Sequence, residues 1–428
     1  MTISEMLSAI GPMHGWAMAT AAVVSAAAAL VGTLLVVRRM SLLGDAISHA
    51  VLPGIVVAVL AGGRPGGPLV IVGAVAAALV TVWLTQVLRD GVGVAEDAGA
   101  GVVFTTLFAL GVVLVTAAAS RIDLDPGCVL YGILELVPFD TIEIGGAELP
   151  RAFITGLAVF VLVGLGLFVS WRLQVFVAFD TEAARAAGMP VTAATMSLLA
   201  ATAMTTVAGF EAVGAILVVA MLVVPAAAAE LLARRLSVVM AVAVVLATIG
   251  SVVGYLAAWK WNTNAAGMIA VVLGLEYMLA VIFAPEEGLL ARGFGRAWLR
   301  WRVACEDQLA AVWRQEEAAG TGVVAAAAPH GIIDQLARSW LLVAGRLRRK
   351  EGRWALDPRA RPAAEMIVRS HRLWEAWLGR HADLPLDHLH PPAEWMEHHL
   401  GADLRRQIEA DLGWQASDPH GSEIPPER

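Results

Sequence analysis

Apolar residues come in long unbroken runs over the first two thirds of the chain and at helical spacing over the last third. Up to about Pro285 each run is roughly 18 to 25 residues, enough for a helix to cross a hydrocarbon core about 30 Å thick. The pattern predicts nine spans: about 16–37, 40–61, 68–88, 98–119, 151–171, 191–210, 212–232, 236–258 and 264–284. Little more than Gly209 to Ala212 separates the sixth from the seventh. Basic residues alternate with the spans. Arg38 and Arg39 follow the first, Arg89 the third, Arg172 and Arg185 the fifth, Arg234 and Arg235 the seventh, and Arg292, Arg296, Arg300 and Arg302 the ninth. The opposite loops hold only scattered charges such as Arg64, Arg121 and Lys260. Since Lys and Arg accumulate on the cytoplasmic side, the N-terminus is expected outside and everything after Pro285 inside. Met1 to Gly15 has no basic n-region, so the first run is expected to stay as a span.

Beyond Pro285 the pattern changes. An amphipathic stretch runs from Arg296 to Glu317, "GTGVVAAAAPHG" interrupts it, and "IIDQLARSWLLVAGRLRRK" reads as a helix. "EGRWALDPRAR" reads as a two-stranded wing, with turn residues at Glu351–Gly352 and Asp357–Pro358. Helical patterning resumes at Pro362 to Arg380 and at Pro391 to Leu412. Composition sharpens the division. The 428 residues are 58% hydrophobic and 16% charged, and mean hydropathy is +0.71. Eight of the ten histidines and nine of the fourteen tryptophans nevertheless lie beyond Glu286, so two domains in different solvents are expected. The two cysteines, Cys128 and Cys305, fall in different domains, which argues against a structural disulfide, and no CxxC motif is present. A net charge of −7 without a long basic run gives no whole-chain signal for nucleic acid.

Three places carry candidate chemistry. In "SLLGDAISHAVLPG" Asp45 and His49 stand one helical turn apart inside an apolar run. Ionisable groups there are costly unless partnered. The pair is either polar glue between helices or a carboxylate and an imidazole offered to a divalent metal along a passage. Pro53 and Gly54 allow a bend just after it. In "FVAFDTEAARAAGMPV", Asp180 can cap a short helix that stops at Gly188 with Pro190 just beyond, forming either an ordinary connector or a docking element for a partner subunit. In "PAEWMEHHL", Glu394, Glu397 and His398 are spaced i, i+3 and i+4 and share a helical face. They form either a solvated charged face or a hard-to-borderline metal site that favours Mn²⁺ or Fe²⁺ over Cu(I).

"RRMSLLGDAISHAVLPGI", "FDTEAARAAGMPV" and "GFEAVGAILVVAMLVVPAAAAELLARRL" together resemble the permease family of manganese/zinc/iron ABC importers, over roughly residues 15 to 285. The resemblance implies an all-α polytopic permease, N-terminus out and C-terminus in, in a bacterial-type inner membrane. It puts Asp45 and His49 on the metal pathway, and Asp180, Glu182, Arg185 and Gly188 in the loop that couples to the ATPase. It also implies an ABC ATPase subunit, an extracytoplasmic metal-binding protein, and a second permease copy or a related permease. No GxxxxGK[ST] motif occurs in the chain, so ATP hydrolysis is expected on a separate subunit.

"CEDQLAAVW", "EGRWALDPRARPAAEMIVRSHRLWEAWL", "PPAEWMEHHL" and "DPHGSEIPP" resemble, in that order, the iron- and manganese-dependent repressors related to diphtheria toxin repressor. By that resemblance the metal ligands are Asp307, His371, Glu394, Glu397 and His398, with Glu394 leaning toward the manganese type. Ala310 stands where manganese-type members place a glutamate, so one ion is expected rather than two. The segment 323–330, where the first helix of a helix-turn-helix would lie, has no polar helical face, and specific base reading is expected to be lost. Arg346, Arg348, Arg349, Lys350 and Arg353 remain for phosphate contact.

The expected organisation is a membrane permease domain at 1–285, a linker helix at 286–303, a degenerate winged-helix-like region at 304–370 and a helical metal-binding and dimerisation region at 371–428. Three functions compete: a divalent-metal importer subunit, manganese before iron or zinc, whose tail senses the same ion; a membrane-tethered metal-dependent transcriptional regulator; and a permease whose tail only dimerises. Because an imidazole binds metal only when neutral, tail affinity is expected to weaken as pH falls through about 6.5.

Overall fold

The computed structural model describes residues 11–63, 67–93, 96–118, 134–144, 146–320, 331–350, 353–382, 385, 388–389, 392–393, 396–413 and 417–426. The side chains of Asp45, His49, Arg89, Asp90, Glu211 and Arg353 are outside that description, as is Glu394 altogether. The chain divides into two units, residues 1–291 and 292–428.

The first unit is a helical bundle: α1 (Pro12–Val37), α2 (Ser41–Ala50), α3 (Leu52–Leu60), α4 (Pro68–Val87), α5 (Glu96–Ala118), α6 (Arg151–Phe179), α7 (Thr181–Ala186), α8 (Val191–Val213), α9 (Ala215–Leu232), α10 (Leu236–Trp261) and α11 (Ala265–Phe283). A short antiparallel hairpin, β1 (Thr141–Ile144) and β2 (Ala147–Pro150), precedes α6. Helix α1 sits at the centre, packed against α6, α8, α9 and α10. Its inward face is built from Ala17, Ala21, Ala28, Val31, Gly32 and Leu35, all buried. Small residues let helices approach when lipid supplies no hydrophobic drive between them. At Gly32 the approach is extreme, since a Cβ there would lie 1.8 Å from the Leu222 carbonyl oxygen of α9. Polar groups on α1 close locally: Thr20 Oγ1 donates to the Trp16 carbonyl and Thr33 Oγ1 to that of Ala29. The outer faces present large apolar side chains such as Phe168 and Val169, each 80% exposed, as a lipid-facing surface requires.

Among the described residues seven helices are long and apolar enough to cross a membrane, which corrects the expected nine. The apolar segment 40–61 is split at Val51 into α2 and α3, of 10 and 9 residues. Pro53, which has no N–H to donate, stands at the start of α3. The segment 212–232 yields α9, 18 residues long, with Pro225 inside it and Leu217–Leu232 as its described apolar stretch. Gly214 at φ +80°, a conformation open to glycine, separates α8 from α9.

The second unit contains α12 (Leu289–Ala319, which begins just before it), α13 (Ile332–Val343), the hairpin β3 (Leu347–Lys350) and β4 (Arg353–Leu356), α14 (Arg361–His381) and α15 (Ala402–Leu412). The wing is antiparallel, with Leu347 opposite Leu356 and both buried. One apolar cluster joins Leu309, Val312 and Trp313 of α12 to Leu341 of α13, the wing, and Ile367 and Val368 of α14. A second joins Leu373 and Ala376 of α14 to Leu400, Ile408, Leu412 and Ile424. The helical pattern at 391–412 is not one helix: α15 begins at Ala402 after an extended Gly401, and residues 397–399 form turns. The 323–330 segment lies outside the described residues.

Replacing Gly32 by valine should destabilise the bundle by at least about 2 kcal/mol, because backbone and not a flexible side chain blocks the added atoms. Thermal unfolding in detergent, compared with Gly15→Val where nothing lies within 4 Å, measures the difference.

Candidate metal centre

Asp45 and His49 are both on α2, four residues apart and one turn from the break at Val51. Beyond the break α3 packs tightly on α4, where a Cβ at Gly54 would lie 2.1 Å from the Gly73 carbonyl oxygen. A broken helix of this kind is tolerated at membrane depth where it is covered by protein or lines a cavity.

The loop between α6 and α8 folds as its spacing suggests. Asp180 is the N-cap of α7, its Oδ1 accepting the Ala183 N–H at 2.9 Å. The Met189 N–H closes the other end on the Ala184 carbonyl, with Gly188 at φ +71°. Glu182 and Arg185 are exposed and paired at 3.0 Å, a contact worth little to stability.

In the second unit Asp307, Glu397 and His398 offer ligand atoms that all lie within 4.8 Å of one another. Asp307 comes from α12, while Glu397 and His398 come from the turn that follows α14. His398 Nε2 is 2.9 Å from Asp307 Oδ1 and 3.5 Å from Glu397 Oε1. Its Nδ1 is 2.7 Å from Glu306 Oε2, so a carboxylate orients the ring from behind. The other oxygen of Glu397, Oε2, is 2.6 Å from His371 Nδ1 and 2.9 Å from Arg314 Nη2. His371 therefore joins the cluster through Glu397 and stands on its far side, with its Nε2 3.1 Å from Glu375 Oε1. Two carboxylates and an imidazole fit a divalent ion such as Mn²⁺, Fe²⁺ or Zn²⁺. Ala310 is fully buried and offers no ligand; one turn further along α12, Arg314 brings a fixed positive charge to Glu397 instead.

The charges shape the histidines. Burial pulls the His398 pKa down, but hydrogen bonds to Asp307 and Glu306 and the charges of Asp307 and Glu397 outweigh it, raising the value from 6.5 to about 9. Burial also lowers His371, and Glu375 and Glu397 carry it above its ordinary value despite Arg314. His398 is thus protonated at neutral pH and must release a proton to bind a metal. This moves the expected loss of affinity from about pH 6.5 up to about pH 9.

Glu306, Arg314 and Glu375 also belong to the cluster, and the sequence patterns above do not single them out. Glu375 was findable, because "HRLWE" puts a carboxylate four residues after His371, on the same helical face. Glu306 and Arg314 reach their partners across more than eighty residues, and no local spacing announces such contacts.

Residues 12–284 match the ABC 3 transport family, and the chain belongs to that family. Residues 358–426 match the iron dependent repressor, metal binding and dimerisation domain, so the chain is a fusion of the two. Among similar proteins, the manganese transport system membrane protein MntD of Bacillus subtilis is 38% identical over 280 residues, covering 65% of this chain and 95% of the relative. The zinc transport system membrane protein TroD of Treponema pallidum is 35% identical over 272 residues, covering 64% and 74%. The solved structure of PsaBC from Streptococcus pneumoniae in complex with Fab aligns with a TM-score of 0.58 at 27% identity, covering 67% of this chain and 98% of that one.

Because the folded-state pKa of His398 lies above neutrality, Mn²⁺ binding by the full-length protein should release about one proton per ion at this site. Affinity should rise by up to about tenfold per pH unit between pH 7 and 9. Calorimetry in buffers of different ionisation enthalpy reads the proton, with His398→Ala as the subtraction. Binding with no proton release would refute the assignment.

Proposed function

We propose that this chain is the transmembrane subunit of an ATP-driven importer for a divalent transition metal, manganese before iron or zinc, and that its tail senses the imported ion. The family match over 12–284, together with the alignment that spans 95% of a manganese transport relative, carries the reading. Asp45 and His49 hold the ion in passage. Asp180, Glu182, Arg185 and Gly188 form the element that receives the stroke of a separate ATPase subunit. An extracytoplasmic metal-binding protein delivers the ion, and a second copy or a related permease completes the pathway. The basic loops support a cytoplasmic second unit, where Asp307, Glu397 and His398 bind the arriving ion and His371 and Arg314 hold Glu397 in place. Glu394 is proposed as a further ligand.

Feedback follows from the origin of the ligands. Asp307 belongs to α12, and Glu397 is tied to α14 through His371. A bound ion fastens these elements together, and it favours the fastened form only by the difference in its affinity for the two. Gene regulation is the weaker reading. The exposed side of α13 carries Ile332, Leu336, Trp340 and Val343, an apolar stripe poorly suited to reading base edges.

Asp45→Ala and His49→Ala should each abolish Mn²⁺ uptake in vesicles containing the ATPase and the delivery protein, while the protein still inserts. Loss of folded protein without a transport-specific effect would make the pair helix glue instead. Glu182→Lys should leave delivery-protein docking intact and uncouple ATP hydrolysis from uptake; unchanged coupling would remove α7 from the interface. In vesicles loaded with Mn²⁺, wild-type import should slow as internal metal rises, and the Glu397→Ala plus His398→Ala protein should not. Identical dependence in both would leave the tail a dimerisation module.

A further inference from the structure

A polar cavity of about 590 Å³ opens where five helices of the first unit end or begin. The C-termini of α1 and α4, the α6–α7 corner and the first turns of α8 line it. Arg38, Arg39 and Arg185, the last paired with Glu182 at 3.0 Å, line it together with Thr85, Thr192 and Thr195, and among its described lining residues there is no carboxylate.

The arginines are held there deliberately. Arg38 Nη2 donates to Gln174, at 2.5 Å to Oε1 and 3.2 Å to the carbonyl. Gln174 is almost fully buried and is itself fixed through Nε2 to the Ala194 carbonyl and Ser197 Oγ. This anchoring uses one edge of the guanidinium. The remaining nitrogens, Nε and Nη1, are buried and have no hydrogen-bond partner among the described residues. Buried donors on a cation are ordinarily satisfied, so Arg38 brings uncompensated positive charge to the cavity wall.

Arg39 gives a second, independent sign. It occupies the position after the α1 C-cap, with φ +58°, while Arg39 N–H bonds to the Val36 carbonyl and Met40 N–H to that of Leu35. Glycine is the usual residue in such a closure, and a left-handed arginine is strained. The chain accepts that strain while bringing a second guanidinium to the cavity beside Arg38.

We infer that this cavity binds a phosphate group, supplied either by an anionic phospholipid headgroup or by free phosphate. Guanidinium forks match phosphate oxygens in pairs, and threonine hydroxyls supply further donors. The volume exceeds what a bare phosphate fills and suits a phosphodiester headgroup. The lipid source, unlike the phosphate chemistry, rests on the orientation proposed above, which puts these helix ends at the anionic cytoplasmic leaflet. A bound anion would join α1 to Arg185 of the coupling element across the cavity.

The test uses the purified full-length chain. Inorganic phosphate should raise its unfolding temperature by several degrees beyond chloride at equal ionic strength. Native mass spectrometry from mixed micelles should retain phosphatidylglycerol and release phosphatidylcholine. Stabilisation by phosphate without retained phosphatidylglycerol would assign the site to the free anion, and retained lipid would assign it to the headgroup. Arg39→Gly relieves the strained backbone, so it should fold at least as well as wild type while binding the anion at least about tenfold more weakly. Arg39→Lys should recover part of the loss, and Arg38→Gln should lose binding as well. Equal stabilisation by chloride, or wild-type anion affinity in Arg39→Gly, overturns the proposal. So does failure of both anions to bind while Arg39→Gly weakens association with the ATPase subunit, which would make the occupant an acidic side chain of that protein.

Discussion

The close approach of α1 to α9 at Gly32 is the contact on which the first unit depends. In hydrocarbon the backbone must satisfy itself, and the solution is helices. Helices in lipid then have no hydrophobic force between them and must gain by dispersion, which needs short distances. A glycine against a carbonyl, a run of alanines, and threonines whose hydroxyls turn back onto their own helix give α1 a surface that four neighbours can share. With the centre made of small residues, the large apolar side chains are left for the lipid-facing surface.

The second unit solves a different problem. It combines modest apolar clusters with buried charges, and those charges fix which elements meet. Glu316, nearly buried, accepts the Leu356 N–H at 2.8 Å and pairs with Arg361 at 2.5 Å, tying α12 to the wing and to α14. Arg372 on α14 pairs with Glu317 on α12 and lies over the ring of Trp313. Buried ion pairs add little net stability, yet removing one partner strands the other. Their role here is to hold register, and the metal centre inherits that register because Asp307 and His371 sit on the same two helices.

Much of this was legible in the sequence, and the misses share a physical cause. Apolar runs located the bundle helices, since length and composition are local properties. The split segment 40–61 turned on Pro53 and the boundary of α8 and α9 on Gly214, where backbone chemistry overrides hydropathy. The α7 cap was readable from Asp180 to Gly188 because capping is a few-residue event. In the tail, the spacing of Glu397 and His398 and the resemblance pointed to the cluster, but Gly401 cut the helix that the periodicity had continued. Arg314 and Glu306 were invisible for a different reason: their meaning arises only when α12 meets the turn after α14.

That meeting also sets how a sensor on this chain would behave. A site that feeds back on import should stay empty at low cytosolic metal and fill only when the ion accumulates. If the proposed site binds the ion, the proton on His398 would set such a threshold. With its pKa raised well above neutrality, the imidazole favours its protonated form at pH 7, and an ion must displace that proton to bind, which weakens its apparent affinity. Arg314 pushes in the same direction, since its charge already neutralises part of Glu397 and leaves less for the ion to gain. The carboxylates that raise the histidine pKa are the same groups that would ligate the metal, so proton and ion compete for one arrangement of charge. Asp307 and Glu397 would attract the ion, and they stabilise the proton that opposes it. The threshold is therefore a property of the cluster as a whole, and no single ligand sets it.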